Sequence, residues 1–306
     1  MIAVIPKTTA IDYWESLHAG AQMTASARKL RVLWNGPQSE TDFAGQASML
    51  EGFIRMKVDG IVLAPSHGSV LASAVRHAKA EGIPLVLVDS PVMTEAADYS
   101  AYIGSEPERM GRLAAERMGA ILQSEGEIAM IGVSPTVEAA VQREKAFSAT
   151  MAAKFPGIRI VDLQYGLSNH ARAREIAEDI MAARVNLKAI FASDEFAVRG
   201  AFIALRNNPW RGVRLIGVAQ EQDLLNYLDH GLIDSLVVQD PYSMGRLAVG
   251  IVGDLLSRGY NGPRRIETRV ELATQSNLKT ALIDELVSRH PILAERAAPF
   301  NRAGIR

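Results

Sequence analysis

Residues 58–91 read VDGIVLAPSHGSVLASAVRHAKAEGIPLVLVDSP, and the fold turns on how this stretch is parsed. GIVLAP (60–65) and PLVLVD (84–89) are apolar without alternation, as expected of strands covered on both faces. Between them, residues 69–81 carry apolar side chains at helical spacing, and Gly82-Ile83-Pro84 makes the turn into the second strand. A strand, a helix and a strand in 34 residues form a parallel pair with a right-handed crossover.

The same unit repeats in both directions. IAVI (2–5), RVLW (31–34) and AYIG (101–104) read as further strands of the first part. IAMIGV (128–133), IRIVDLQY (158–165), AIFAS (189–193), RLIGVA (214–219) and SLVVQ (235–239) read as strands further on. Helical patterns cover 12–29, 41–57, 106–123, 137–154, 170–184, 195–206, 221–230 and 242–258. Ten such strands exceed one small sheet, and the pattern restarts after residue 104. The expected fold is therefore α/β, with two similar doubly wound parallel-sheet lobes. The stretch 265–287 is expected to return and complete one or both sheets, giving a multi-strand hinge between lobes. The expected division is 1–104 plus 240–268 for the first lobe and 105–239 plus 269–306 for the second, with a ligand cleft between them.

Composition removes several functions. Net charge is −1 with both signs interspersed, which provides no basic stripe for nucleic acid. With no cysteine, a thiol nucleophile, a thiolate metal site and a disulfide framework are excluded. No run approaches the roughly 20 apolar residues of a membrane span. MIAVIPKTT lacks the basic region and cleavage site of a leader and reads as a first strand. There is no HExxH, GxSxG, GxxxxGK[ST] or strand-following GxGxxG. The six histidines show no metal spacing. No enzyme, metal or cofactor is expected.

In open α/β sheets, ligands sit beyond the carboxyl ends of the strands. Those ends here are polar and small: Lys7-Thr8-Thr9, Asn35, Pro65-Ser66-His67, Asp89-Ser90, Gly104-Ser105, Val133-Ser134, Ser193-Asp194-Glu195, Ala219-Gln220-Glu221 and Gln239-Asp240. Helix caps account for part of this set, and less readily for Asp89, Gln220 and Gln239. Tyr13 and Trp14 stand side by side in the first turn of the first helix. Neighbours on a helix point about 100° apart, so core burial explains one ring more easily than both. Carboxylates, amides and hydroxyls beside an aromatic face suit a neutral polyhydroxylated ligand.

The order of these runs resembles the ribose-binding-protein family of type I periplasmic substrate-binding proteins. The resemblance rests on DYWESLHAGA (12–21), VDGIVLAPSHGSVL (58–71), EGIPLVLVDSP (81–91), YIGSEPERMGRLAAERM (102–118), AAVQREKAF (139–147), AIFASDEFAVRGAFIAL (189–205), VRLIGVA (213–219), IDSLVVQDPYSMGRLAV (233–249) and TQSNLKTALI (274–283). It spans essentially the whole chain. The resemblance implies that Tyr13 or Trp14 packs on a sugar, that Asp89 binds two hydroxyls, and that Gln239 contributes an amide. It also exposes departures. Ala64, Ser193 and Ala219 stand where ribose binders carry Asn, Asn and Asp, and Ser90 stands where they carry Arg. A family arginine is replaced near Val141, while Arg143 keeps a neighbouring position and could be a structural ion pair. Lys7, His67, Ser90, Glu138, Asn169, His170, Gln220 and Glu221 are the local candidates for the gaps.

The implied function is a solute-binding protein delivering a sugar, polyol or similar small hydroxylated molecule to an ABC permease of the inner membrane by hinge closure. The implied state is a monomer in a periplasmic or extracytoplasmic location, its leader outside this sequence. A LacI-type transcription regulator shares this core, but a helix-turn-helix would precede the first strand, which begins at residue 2. A quorum-signal or chemoreceptor binder of the same fold is the third alternative.

Overall fold

The computed structural model describes residues 1–287, with Trp210 described through its backbone. Along the chain run β1 (Ile2–Ile5), α1 (Asp12–Ala27), β2 (Val32–Trp34), α2 (Phe43–Arg55), β3 (Gly60–Leu63), α3 (Ala72–Ala80), β4 (Leu85–Val88) and β5 (Ala101–Gly104). Next come α4 (Pro107–Ile121), β6 (Gly126–Gly132), α5 (Glu138–Lys154), β7 (Ile158–Tyr165), α6 (His170–Ala183), β8 (Leu187–Ala192) and α7 (Glu195–Asn207). The last elements are β9 (Arg214–Val218), α8 (Gln222–Asp229), β10 (Ser235–Gln239), α9 (Pro241–Ser257), β11 (Arg265–Glu267), β12 (Val270–Thr274) and α10 (Ala281–Val287).

Two six-stranded sheets result, ordered β11-β5-β4-β3-β1-β2 and β12-β10-β9-β8-β6-β7. Apart from the flanking β11 and β12, the second order repeats the first with each strand advanced by five. Helices cover both faces of each sheet, so alternate residues of one strand enter different cores. Ile2 and Val4 of β1 join one cluster with Trp14 and Val249, while Ala3 and Ile5 join another with Leu50 and Leu71. The unbroken apolar runs follow from that two-sided burial.

The chain crosses between sheets three times. After β5, α4 packs on α5 of the second sheet; after β10, α9 packs on α1 of the first; and β11 leads directly into β12. The α1–α9 contact is close because glycines meet backbone there: a Cβ on Gly20 would lie 2.0 Å from the Tyr242 carbonyl oxygen, and one on Gly245 2.0 Å from that of Leu17. The sheets are not wholly parallel, since β12 runs antiparallel to β10. The hinge is the reason. β11 is parallel to β5 and so runs toward the cleft, and the chain then enters the second sheet from the cleft side, opposite to every other strand.

The parallel topology brings the carboxyl ends of both sheets to the interlobe space. The lobes touch there. The Asp12 N–H, at the start of α1, donates to Glu221 Oε1 at 2.9 Å, and Phe196 of α7 packs against the first lobe's core.

Candidate ligand-binding cleft

A cavity of about 60 Å³ lies between the lobes, room for roughly four to six waters. Lys7, Tyr13, Trp14, Glu40 and Asp89 line it from the first lobe, and Arg143, Asp194, Glu195 and Gln239 from the second.

Tyr13 and Trp14 both reach this wall. Their rings meet edge to face, with centroids 4.8 Å apart at 85°. Both rings belong to the first lobe's core cluster, so each serves as core on one side and cavity wall on the other. Their polar ends fix them: the Tyr13 hydroxyl donates to Asp89 Oδ1 at 2.9 Å, and Trp14 Nε1 donates to Glu40 Oε1 at 2.9 Å. The helix start has no side-chain cap of its own at Ile11, which leaves the Asp12 N–H for Glu221.

Asp89 is the most heavily engaged group. Besides Tyr13, its carboxylate accepts from Lys7 Nζ at 2.6 Å and from the Ser90 hydroxyl at 2.9 Å. Its backbone sits at φ +65, a conformation that favours Gly, Asn and Asp. The Asp89 N–H donates to the Ile103 carbonyl, and the Tyr102 hydroxyl donates to the Asp89 carbonyl, each at 2.9 Å. Burial alone would raise the Asp89 carboxyl, but the Lys7 charge and the three donors outweigh it and hold it below the usual carboxylate range. Burial and the Asp89 charge push the Tyr13 phenol far up, so it stays a donor. Lys7 also donates to the Ser90 hydroxyl at 2.7 Å and lies 5.8 Å from the centre of the Trp14 ring.

The second lobe supplies a different chemistry. Arg143 of α5 is only 8% exposed, yet its Nε has no partner and Nη1 meets only the Met110 sulfur at 3.7 Å. Among the described residues no carboxylate pairs with it, so it is not the structural ion pair that the sequence left open. A buried guanidinium without an oxygen acceptor is costly unless a ligand provides one. Asp194 caps α7 by accepting the Ala197 N–H at 2.7 Å, and burial pushes its carboxyl up to about 6. Glu195 is pushed well up by burial first and then by Glu221, Glu40 and Asp194. Burial also raises Glu40, with Lys7 and Trp14 offsetting only part of the effect.

Several expected residues lie elsewhere. Ser90 sits behind Asp89 as a supporting hydrogen bond rather than at the wall. Ser193 is fully buried and gives its hydroxyl to Glu144 Oε1 at 2.6 Å. Gln220 turns back to accept the Gln239 N–H at 2.9 Å, so it positions Gln239. His67 pairs with the Ser69 hydroxyl and packs edge-on to Phe43, away from the cavity wall. Glu138 is exposed and accepts from Gln142 at 3.0 Å. Asn169 caps α6, His170 is exposed beside it, and Glu221 bridges the lobes through Asp12 while pairing with Arg199 at 2.8 Å. Glu40 was not among the expected site residues. It sits in the polar loop between β2 and α2, where SETD (39–42) reads as a helix start, and only the length of that loop signals that it can reach across.

With the site described, comparison with known proteins places the chain. The family described as the periplasmic binding protein domain matches residues 2–260. The D-ribose/D-allose-binding protein of Pseudomonas aeruginosa is 28% identical over 286 residues, covering 89% of this chain and 88% of that protein. An ABC transporter solute-binding protein from Agrobacterium vitis, solved with bound D-fucose, superposes with a TM-score of 0.89 at 30% identity, covering 94% of this chain and 99% of that one. A carbohydrate transporter solute-binding protein from Agrobacterium radiobacter, in complex with D-arabinose, has a TM-score of 0.89 at 27% identity, covering 94% and 98%. This chain belongs to the periplasmic-binding-protein family.

Proposed function

We propose that this chain is the solute-binding protein of an ABC importer and binds a sugar, polyol or similar small hydroxylated molecule in the interlobe cavity. The observation that carries the reading is the cavity wall itself: two aromatic rings and the Asp89–Lys7 pair on one lobe face an unpartnered buried Arg143 and the Gln239 side chain on the other. Relatives and structural neighbours named for sugars support it. Lys7, Tyr13, Trp14, Asp89, Arg143 and Gln239 are the proposed contacts. Hydrogen bonds to charged groups contribute roughly 1.5–3 kcal/mol each, so a few of them with ring packing reach roughly micromolar affinity, near −8 kcal/mol.

The proposed moving bodies are residues 1–104 with 240–268 and residues 105–239 with 269–306, of which 288–306 lie outside the described residues. The ligand bridges them and draws an open–closed equilibrium toward the closed form that the permease reads. The protein acts as a monomer outside the cytoplasmic membrane, binds no nucleic acid and turns over no substrate.

A thermal-shift screen of the full chain against pentoses, hexoses, polyols and furanosyl signalling compounds tests this, because a ligand that binds the folded state alone raises the melting temperature. A strong hit is expected. A blank screen on protein shown by mass spectrometry to be ligand-free would refute the reading.

A further inference from the structure

The charges of the cavity do not balance. Lys7 and Asp89 neutralise each other at 2.6 Å. What remains is one cation, Arg143, against three carboxylates, Glu40, Asp194 and Glu195. Among the described residues, none of the three has a cation in ion-pair contact. Glu40 accepts from Trp14, Asp194 from the Ala197 N–H and, at 3.4 Å, the Ser168 hydroxyl, and Glu195 only from its own backbone. A neutral sugar could donate hydroxyls to them, but closure over it must either bury the excess negative charge or protonate the acids, and either is costly at neutral pH.

The acids are also divided between the lobes. Glu40 belongs to the loop after β2 in the first lobe, and Asp194 and Glu195 begin α7 in the second. Closure therefore brings like charges toward one another: after burial, Glu40 helps raise the carboxyls of Asp194 and Glu195 across the cleft, and Asp194 helps raise that of Glu195. Among the described residues, no three acidic or histidine side chains converge closely enough to hold a metal ion. A cationic group on an extended organic molecule is the counter-charge that relieves both costs. The independent sign of such a molecule is Arg143, which lines the same cavity, is nine-tenths buried and has an unpartnered Nε that needs an oxygen acceptor.

We propose that the natural ligand is a sugar or polyol carrying one amino group, its ammonium held between Glu40 of the first lobe and Asp194 and Glu195 of the second, with a hydroxyl or ring oxygen on Arg143. This rests on the sugar-binding reading above and narrows it. The ammonium makes closure selective: it turns a repulsion across the cleft into a bridge, whereas a neutral analogue closes the lobes against that repulsion.

Calorimetric titration of the full chain with matched pairs tests it: glucose and glucosamine, galactose and galactosamine, inositol and an aminodeoxyinositol, each amine also as its N-acetyl derivative. At least one amine is expected to bind about tenfold or more tighter than both its hydroxyl and its N-acetyl partner. Glu195→Gln and Glu40→Gln should each weaken the amine about tenfold more than they weaken its neutral partner, so that the preference shrinks to about threefold or less whatever the common loss. If a neutral or N-acetylated member binds as tightly as its amine, the amine inference is overturned and the sugar-binding reading stands. If no member of any pair binds, the amine inference is overturned, and the sugar-binding reading is decided by the thermal-shift screen. Should a variant not fold, the N-acetyl comparison on the unmodified chain decides alone.

Discussion

Replacing Asp89 by Asn isolates the pair on which the first lobe's side of the cleft is built. Asn is the chosen substitute because the position holds φ +65, which Asn tolerates and Ala does not. The change keeps the shape and removes the charge. Lys7 is then left with its side chain only 9% exposed and no carboxylate at 2.6 Å. Breaking a buried pair from one side costs about 3–5 kcal/mol, and the amide oxygen still accepts from Lys7, so the loss should lie near 3 kcal/mol. For a chain of 306 residues that is a fall of about 5 °C in melting temperature. Urea denaturation should show a lower midpoint at an unchanged slope. Lys7→Met in the Asp89→Asn background should recover part of the loss, since the stranded charge is removed with its partner. The pH sign is fixed by the lowered Asp89 carboxyl: the pair's contribution is present above about 3.9, the unfolded value, and is lost as pH falls through the lower folded value. A loss below about 1 kcal/mol, or two substitutions that simply add, would mean that water already solvates Lys7 and that the pair organises nothing.

The other predictions concern the second lobe and the packing that holds the lobes in register. Arg143→Met should separate stability from function: removing an unpartnered buried charge should stabilise the ligand-free protein by about 1 kcal/mol in denaturant titration, while calorimetry shows affinity reduced about tenfold or more. Glu221→Ala removes the acceptor for the Asp12 N–H across the cleft, so X-ray scattering of the ligand-free protein should show a larger radius of gyration and affinity should fall about 2–10-fold. The Asp194 carboxyl, raised from 3.8 to about 6, contributes stability that is present below pH 3.8 and lost as pH rises through 6. Asp194→Asn, which keeps the helix cap, should remove on the order of 1–2 kcal/mol of that pH-dependent change after discounting for partial exposure, read as melting temperature against pH. Gly20→Ala drives a Cβ into the Tyr242 carbonyl and should cost about 1–3 kcal/mol, measured by thermal melting.

Most of the fold was legible because two-sided burial writes itself into sequence. Strands β1, β5, β7 and β10 coincide with the apolar runs 2–5, 101–104, 158–165 and 235–239. Strands β11 and β12 leave no such run, since RIE is largely exposed and VELAT only partly buried, and the antiparallel sense of β12 depends on the hinge rather than on its residues. Legibility of the site followed the same logic. Lys7, Asp89 and Gln239 stand directly at strand ends, and Tyr13 and Trp14 in the first turn of α1, where the topology itself aims them at the cleft. Ser193 and Gln220 also follow strands, but the first bonds to Glu144 and the second to the Gln239 backbone, a distinction of side-chain direction that spacing does not carry. Asp194 and Glu195 stood among the polar strand ends, whereas Glu40, in the loop before α2, follows no strand directly and carried no such mark. Only the closed arrangement of the lobes sets them around one cavity.

The central claim is that the ligand lies between the two lobes and bridges them. A crystal structure of the full chain with the tightest-binding compound from the matched pairs tests it most directly. The account predicts a ligand flanked by Tyr13 and Trp14, within hydrogen-bond distance of Asp89 and with an oxygen on the Arg143 guanidinium. A ligand bound outside the interlobe cavity, or one inside it that leaves Arg143 without an acceptor, would contradict the account.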